Sequence, residues 1–189
     1  YNPKKSSHFS GGDLAGVKKR LDYIQGLGAT SVWVTPPVFN QWWNGTYGGY
    51  HGYWAADFKR MDPHFGTLKE YQQLSDALHR RGMYLVQDIV LNHTGDFFKY
   101  QNWRAEDPAH GFELNPHSTP MKAPLQAPFN MNDPRNPAHR KAGIYHWTPD
   151  VVDYSNPQQE LNFQMAGLDD LNSENPTVRK ALRDSYAYW

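Results

Sequence analysis

Asp88, Asn92 and His93 place a carboxylate, a carboxamide and an imidazole within one short stretch, Asp88-Ile89-Val90-Leu91-Asn92-His93. Strand alternation would set Asp88 and Val90 against Ile89 and Leu91. Polar groups gathered at the carboxyl end of a strand suit a ligand pocket. The same residues can also do something plainer: a strand-end Asp and Asn satisfy turn backbone groups while the His lies on the surface.

A second cluster is Tyr47-Gly48-Gly49-Tyr50-His51-Gly52-Tyr53-Trp54, followed by Asp57. Its glycines let the backbone turn tightly, and rings and an imidazole project from the turn. A pyranose has an apolar C–H face and a polar rim, which an aromatic face and a His donor would match. The competing reading is a loop that packs its rings on each other as a satellite cluster. A third cluster, Gly167-Leu168-Asp169-Asp170-Leu171-Asn172, precedes a helix start. Its Asp with the distant Asn92 offers oxygen ligands of the kind calcium takes; equally, acidic residues before a helix favour its N-terminus.

Other chemistry is thin. Asn44-Gly45-Thr46 matches a glycosylation acceptor, a common chance match, and the nine His residues contain no H-x-x-x-H helix pair. Ser6 and Ser7 lack a nucleophile-elbow setting. The absence of Cys excludes disulfides, zinc-thiolate sites and cysteine nucleophiles.

The elements that must position these groups alternate. Asp13 to Leu27 reads as a helix with Leu14, Val17, Leu21 and Ile24 on one face, Asp13 as its cap and Gly28 at its end. Thr30 to Thr35 reads as a strand stopped by Pro36-Pro37. Thr67 to Arg81 reads as a second helix, opened by the capping box Thr67/Glu70 and closed at Gly82, with Tyr71, Leu74 and Leu78 buried. Met83 to Val90 is a mostly apolar strand, so strand, helix and strand make a βαβ unit and a parallel sheet. Asn175-Pro176 starts a third helix, with Val178, Leu182, Ser185 and Trp189 along one side. Helix-to-strand turns are short, whereas the strand-to-helix connections, 36–66 and 92–172, are long. Long βα loops build the working face of a (β/α) barrel.

Composition bounds the partners. Lys plus Arg number 19, as do Asp plus Glu; this neutral balance argues against a nucleic-acid protein. No apolar run is long enough to span a membrane. Aromatic residues make up 15% while total hydrophobic content is 39%, which favours a core built from rings over a sugar-stacking surface. A Cys-free chain suits several compartments, with a secreted or periplasmic location preferred to a cytoplasmic one. The oligomeric state is left open. The chain opens at Tyr1 and stops at Trp189 in what reads as a helix, so both ends read as cuts.

Taken together the motifs resemble the alpha-amylase family of glycoside hydrolases. Phe9 to Pro37 (FSGGDLAGVKKRLDYIQGLGATSVWVTPP) looks like the family's first helix and second strand. YHGYWAADF (50–58) with DPHFGT (62–67) looks like its next loop, DIVLNH (88–93) is similar to its first signature region, and GLDDLN (167–172) to the signature near the end of its protruding domain B. The resemblance implies an α/β fold: an incomplete (β/α)8 TIM barrel (1–93 and 173–189) with an irregular domain B (94–172) inserted after the third barrel strand. It implies that His93 bonds the sugar before the cleaved bond, that Tyr53 stacks on it, that His51 and Trp54 line the pocket, and that Asp88 holds its floor. Asn92 and Asp170 would be calcium ligands joining domain B to the barrel. The family's catalytic Asp, Glu and Asp follow its fourth, fifth and seventh strands, so the resemblance places no catalytic residue in this chain. The implied activity is retaining hydrolysis of α-1,4-glucans such as starch and maltooligosaccharides. A transglycosylase of the same family and a non-catalytic binding or transporter subunit are the alternatives. Asp169 stands where the family commonly has Pro, which leaves the subgroup open.

Overall fold

The computed structural model describes residues 2 and 4–189. Its first layer is helical: α1 (Leu14–Lys19), α2 (Leu21–Gly26) and α3 (Leu68–His79). The helix expected from Asp13 to Leu27 is broken in two at Arg20, whose φ −106°, ψ 7° is not helical. Arg20 N bonds back only three residues, to Val17 O, and the chain then restarts on Leu21. Asp13 caps α1 through Gly16 N at 2.6 Å. The capping box of α3 is complete: Glu70 N donates to Thr67 Oγ1, and Thr67 N to Glu70 Oε2. Each such cap contributes about 1 kcal/mol.

Strands β1 (Ser31–Val34) and β4 (Tyr84–Gln87) pair in parallel, Ser31 opposite Tyr84 and Val34 opposite Gln87. With α3 between them in sequence, this is the expected βαβ unit. One face of the pair, Val32, Val34 and Leu85, packs on Leu14, Leu21, Leu74 and Leu78 from the helices. The other carries Trp33 at 72% exposure and Tyr84 at 69%. A parallel sheet is normally covered on both faces, and in a barrel this second face is the interior that further strands fill.

β4 is shorter than the expected 83–90. Asp88 N still reaches Val34 O, but Val90 has no strand neighbour; its N donates to Tyr186 Oη at 2.9 Å, and that hydroxyl donates to Val90 O at 2.8 Å. One side chain from α6 (Pro176–Tyr186) thus replaces a ladder partner. α6 buries Val178, Leu182 and Ser185 as expected and stops at Tyr186, short of Trp189.

The two long connections carry their own elements. β2 (Val38–Asn40) and β3 (Ala55–Met61) form an antiparallel pair with register shifts on either side of Phe39. β5 (Phe98–Tyr100) and β6 (Phe112–Leu114) form another, followed by α4 (Pro137–Ala142) and α5 (Pro157–Asn162). Buried Gln41 clamps the start of the second connection: its Nε2 donates to Asp96 O and Ser118 Oγ, and its Oε1 accepts from Asp96 N. Part of the ring content is core: Phe58, Phe98, Phe112, Phe129, Tyr145 and Trp147 are buried in one cluster with Val178 and Leu182. No helix among the described residues is long and apolar enough to cross a membrane.

Candidate active-site face

The loop after β2 is held open by its own main chain. Gly52 sits at φ +85°, and a Cβ there would lie 2.3 Å from Pro36 O; one on Gly49 would lie 2.1 Å from Gln41 O. Only glycine permits that approach. The carboxamide of fully buried Asn40 then sets the exit, accepting from Trp54 N at 2.8 Å through Oδ1 while Nδ2 donates to Val38 O. Buried Asp62 accepts from Asn40 N and Trp42 Nε1 behind it. Asn40 carries no signal in the sequence, because nothing about a lone Asn in V-F-N marks it as a fulcrum for a residue 14 positions away, and Asp62 enters there only as the first residue of the DPHFGT motif.

This frame brings the first two clusters together. Tyr53 Oη donates to Asp88 Oδ2 at 2.8 Å, and His93 Nε2 meets Tyr53 O at 3.2 Å. His51 Nδ1 accepts from Tyr53 N at 3.1 Å, its ring stacks near the Tyr53 ring (5.8 Å, 23°), and it meets Trp54 edge to face at 4.8 Å. The bond to Asp88, then burial, pushes the Tyr53 hydroxyl up. Burial lowers His51. Burial lowers His93 too, against the bond to Tyr53 O and with help from His51. Both imidazoles are therefore neutral near pH 7. Since a carbonyl only accepts, His93 carries its proton on Nε2. Because His51 Nδ1 accepts, its proton is also on Nε2, and that N–H is the donor left for a ligand. Tyr50 stands exposed beside this group, its ring 5.3 Å from that of His51.

The third cluster joins the first. Residues 93 and 170 form a β-bridge, and Leu171 N donates to Asn92 O at 2.9 Å. Asn92 Nδ2 lies 3.2 Å from Asp170 Oδ1 and 3.4 Å from His93 Nδ1. His146, unmarked in the sequence, bridges Asp170 Oδ2 at 2.5 Å and Glu174 Oε2 at 2.9 Å. Burial pulls His146 down, but the two carboxylates outweigh it and the net direction is up; burial raises Asp170 against the pull of His146. No group of three or more His, Cys, Asp or Glu among the described residues is arranged around a metal position. Asn92 and Asp170 are nonetheless hard oxygen donors in contact. Turning the Asn92 amide over would present Oδ1 beside the carboxylate. The pair fits two of the six to eight oxygens calcium takes, with main chain and water left to supply the others.

Asp169 has a distinct role. It is fully buried, its carboxylate accepts from Phe97 N and Phe98 N at 3.2–3.3 Å, and its own N donates to Gly95 O. A Pro there could make none of these bonds, so the departure at this position is a local main-chain device.

A parallel βαβ unit with polar and aromatic groups at the carboxyl ends of its strands is a piece of a (β/α)8-type barrel with its ligand face. The family described as "Alpha amylase, catalytic domain" matches residues 2–189. Accordingly, the chain belongs to the alpha-amylase catalytic-domain family. It is 33% identical to an alpha-amylase of Streptomyces lividans over all of this chain and 23% of that protein. It is 32% identical to a cyclomaltodextrin glucanotransferase of Klebsiella oxytoca, over 100% of this chain and 27% of that one. In structure it is similar to the alpha-amylase of Geobacillus thermoleovorans complexed with acarbose (TM-score 0.71, 31% identity, 100% of this chain, 33% of that one). The chain thus spans about a quarter of the length of these curated relatives.

Proposed function

We propose that the whole protein hydrolyses α-1,4-glucans by a retaining mechanism and that this chain supplies part of its sugar-binding face. The observation that carries the reading is the Tyr53–Asp88–His93 contact set at the carboxyl end of β4. Tyr53 offers an apolar platform whose tilt is fixed by Asp88. His51 Nε2–H is an open donor to a sugar hydroxyl, and His93 becomes one when its bond to Tyr53 O yields. Trp54 closes the wall behind His51. A retaining glycosidase needs two carboxyls roughly 5 Å apart, one as nucleophile and one as acid/base. We assign neither to this chain, and we expect the 189-residue piece by itself to be inactive.

In this reading residues 94–172 are the domain B excursion, and 1–93 with 173–189 belong to the barrel. Calcium would be held by Asn92 and Asp170, and it would supply rigidity to the junction. Family resemblance and the paired oxygen donors support this. Similarity to the glucanotransferase keeps transglycosylation as the second reading.

The test is product analysis of the full-length protein on maltoheptaose. Shorter maltooligosaccharides released with retained anomeric configuration support hydrolysis. Cyclic or lengthened products establish transfer instead. Binding without turnover identifies a non-catalytic relative, and inverted products refute the mechanism.

A further inference from the structure

A sugar-sized concavity lies between residues 103 and 174, away from the Tyr53 group. It is a groove of about 660 Å³ whose walls include Trp103, Phe163, Gln158, Asn162, His146 and Glu174. Pockets for small ligands have this size. The Trp103 and Phe163 rings meet at 5.5 Å and 68°, a corner rather than a stack, and both are half-exposed and line the groove, offering a flat apolar ligand surface something to pack on. The corner is built. Trp103 Nε1 donates to Trp147 O at 2.8 Å, and Trp147 adopts φ +57°, unusual for so large a residue. Thr148 Oγ1 donates to Asn162 O, which pins the end of α5. Among the described residues, the carboxamides of Gln158 and Asn162 have no hydrogen-bond partner in the chain, leaving donors and acceptors of both kinds at the rim. The imidazole in the wall, His146, is already committed to Asp170 and Glu174, so no unpaired cation invites an anion.

Half-exposed rings, unpaired amides, the exposed Glu174 carboxylate as a further acceptor and no unpaired cation fit a neutral, polyhydroxylated ligand. We propose that this groove is an additional α-glucan-binding site, outside the Tyr53–Asp88–His93 group and joined to it through Asn92, Asp170 and His146. The assignment of the ligand rests on the α-glucan reading above.

The test is native electrophoresis of the full-length protein through gels containing amylopectin. The Tyr53→Ala, His93→Ala background is used, so that the first site is weakened. The background protein is expected to be retarded still, and adding Trp103→Ala or Ala105→Arg is expected to raise the apparent dissociation constant about tenfold. Ala105 is exposed at the mouth, so its Arg variant blocks the groove without removing a buried side chain and decides the matter if Trp103→Ala fails to fold. Undiminished retardation of Ala105→Arg overturns the groove, as does a background protein that runs unretarded while the unmutated protein is held back. An unmutated protein that is neither retarded nor releases reducing sugar from starch overturns the α-glucan reading itself, and the groove assignment with it.

Discussion

Asp96 is the residue whose replacement should stabilise this fold most clearly. Its main chain is clamped by Gln41, and its carboxylate accepts from Asn44 Nδ2 at 3.3 Å. Burial lifts it from 3.8 to about 6, with Asp150 pushing the same way and Asn115, Asn44 and Lys99 pulling back. A carboxyl raised on folding favours the protonated native state. Its contribution is present below pH 3.8 and is lost as the pH rises through about 6. At 1.36 kcal/mol per pH unit, the ionised carboxylate then costs the native state about 3 kcal/mol at pH 8. Asp96→Asn keeps the shape and an acceptor for Asn44 but removes the charge. It also removes the charge that, after burial itself, raises the neighbouring buried Asp169. D96N is therefore expected to gain up to about 3 kcal/mol at pH 8, roughly 6–12 °C in Tm for a chain of this size. At pH 4 the gain should shrink to near zero. Thermal and urea unfolding of parent and variant at both pH values make the assay. An equal effect at the two pH values, or destabilisation at pH 8, would refute the reasoning, because only the burial of an ionised group makes the gain pH-dependent.

Three further outcomes are expected. Tyr53→Phe keeps the ring and loses the 2.8 Å bond to Asp88, so kcat/KM on maltoheptaose in the full-length protein should fall about tenfold, worth about 1.4 kcal/mol; an unchanged value would show that the bond does not orient the platform. Asp169→Pro strips Phe97 N and Phe98 N of their acceptor and breaks the bond to Gly95 O, at a cost of about 3 kcal/mol or more in urea unfolding, whereas Asp169→Asn should cost less because its Oδ1 still accepts. If calcium binds Asn92 and Asp170, saturating it at a hundredfold its Kd raises stability by about 2.7 kcal/mol relative to EGTA, and Asp170→Ala removes that difference; coincident melts of the parent protein in calcium and EGTA would dismiss the metal.

Local signals were strong enough to read the framework directly. The capping box at Thr67/Glu70, the Gly28 and Gly82 that follow the first two expected helices and the apolar spacing of α3 and α6 act within a few residues, so the βαβ unit is legible in the sequence. The Asn-Pro start at 175–176 recurs at 136–137 and 156–157, where each Asn side chain caps its helix; the same signal would have found α4 and α5. The break at Arg20 and the early end of β4 were not legible, because each depends on what the neighbouring backbone meets. Site residues followed the same division. Motif spacing marked Tyr53, Asp88, Asn92, His93 and Asp170 as groups capable of chemistry. That Tyr53 leans on Asp88, and that His51 rather than His93 holds the free donor, depends on contacts between residues 35 and 40 positions apart.

The sequence by itself determined the alternation of elements, the family and the residue types on the ligand face, because capping, periodicity and motif spacing are properties of neighbours along the chain. Only the tertiary structure decided that Asn40 orients Trp54, that Asp169 replaces Pro as a main-chain acceptor, that His146 sits on Asp170, and that Trp103 meets Phe163 in a groove. Those are hydrogen bonds and ring contacts within long loops, whose partners are selected by how each βα connection folds back on itself rather than by any short-range pattern along it.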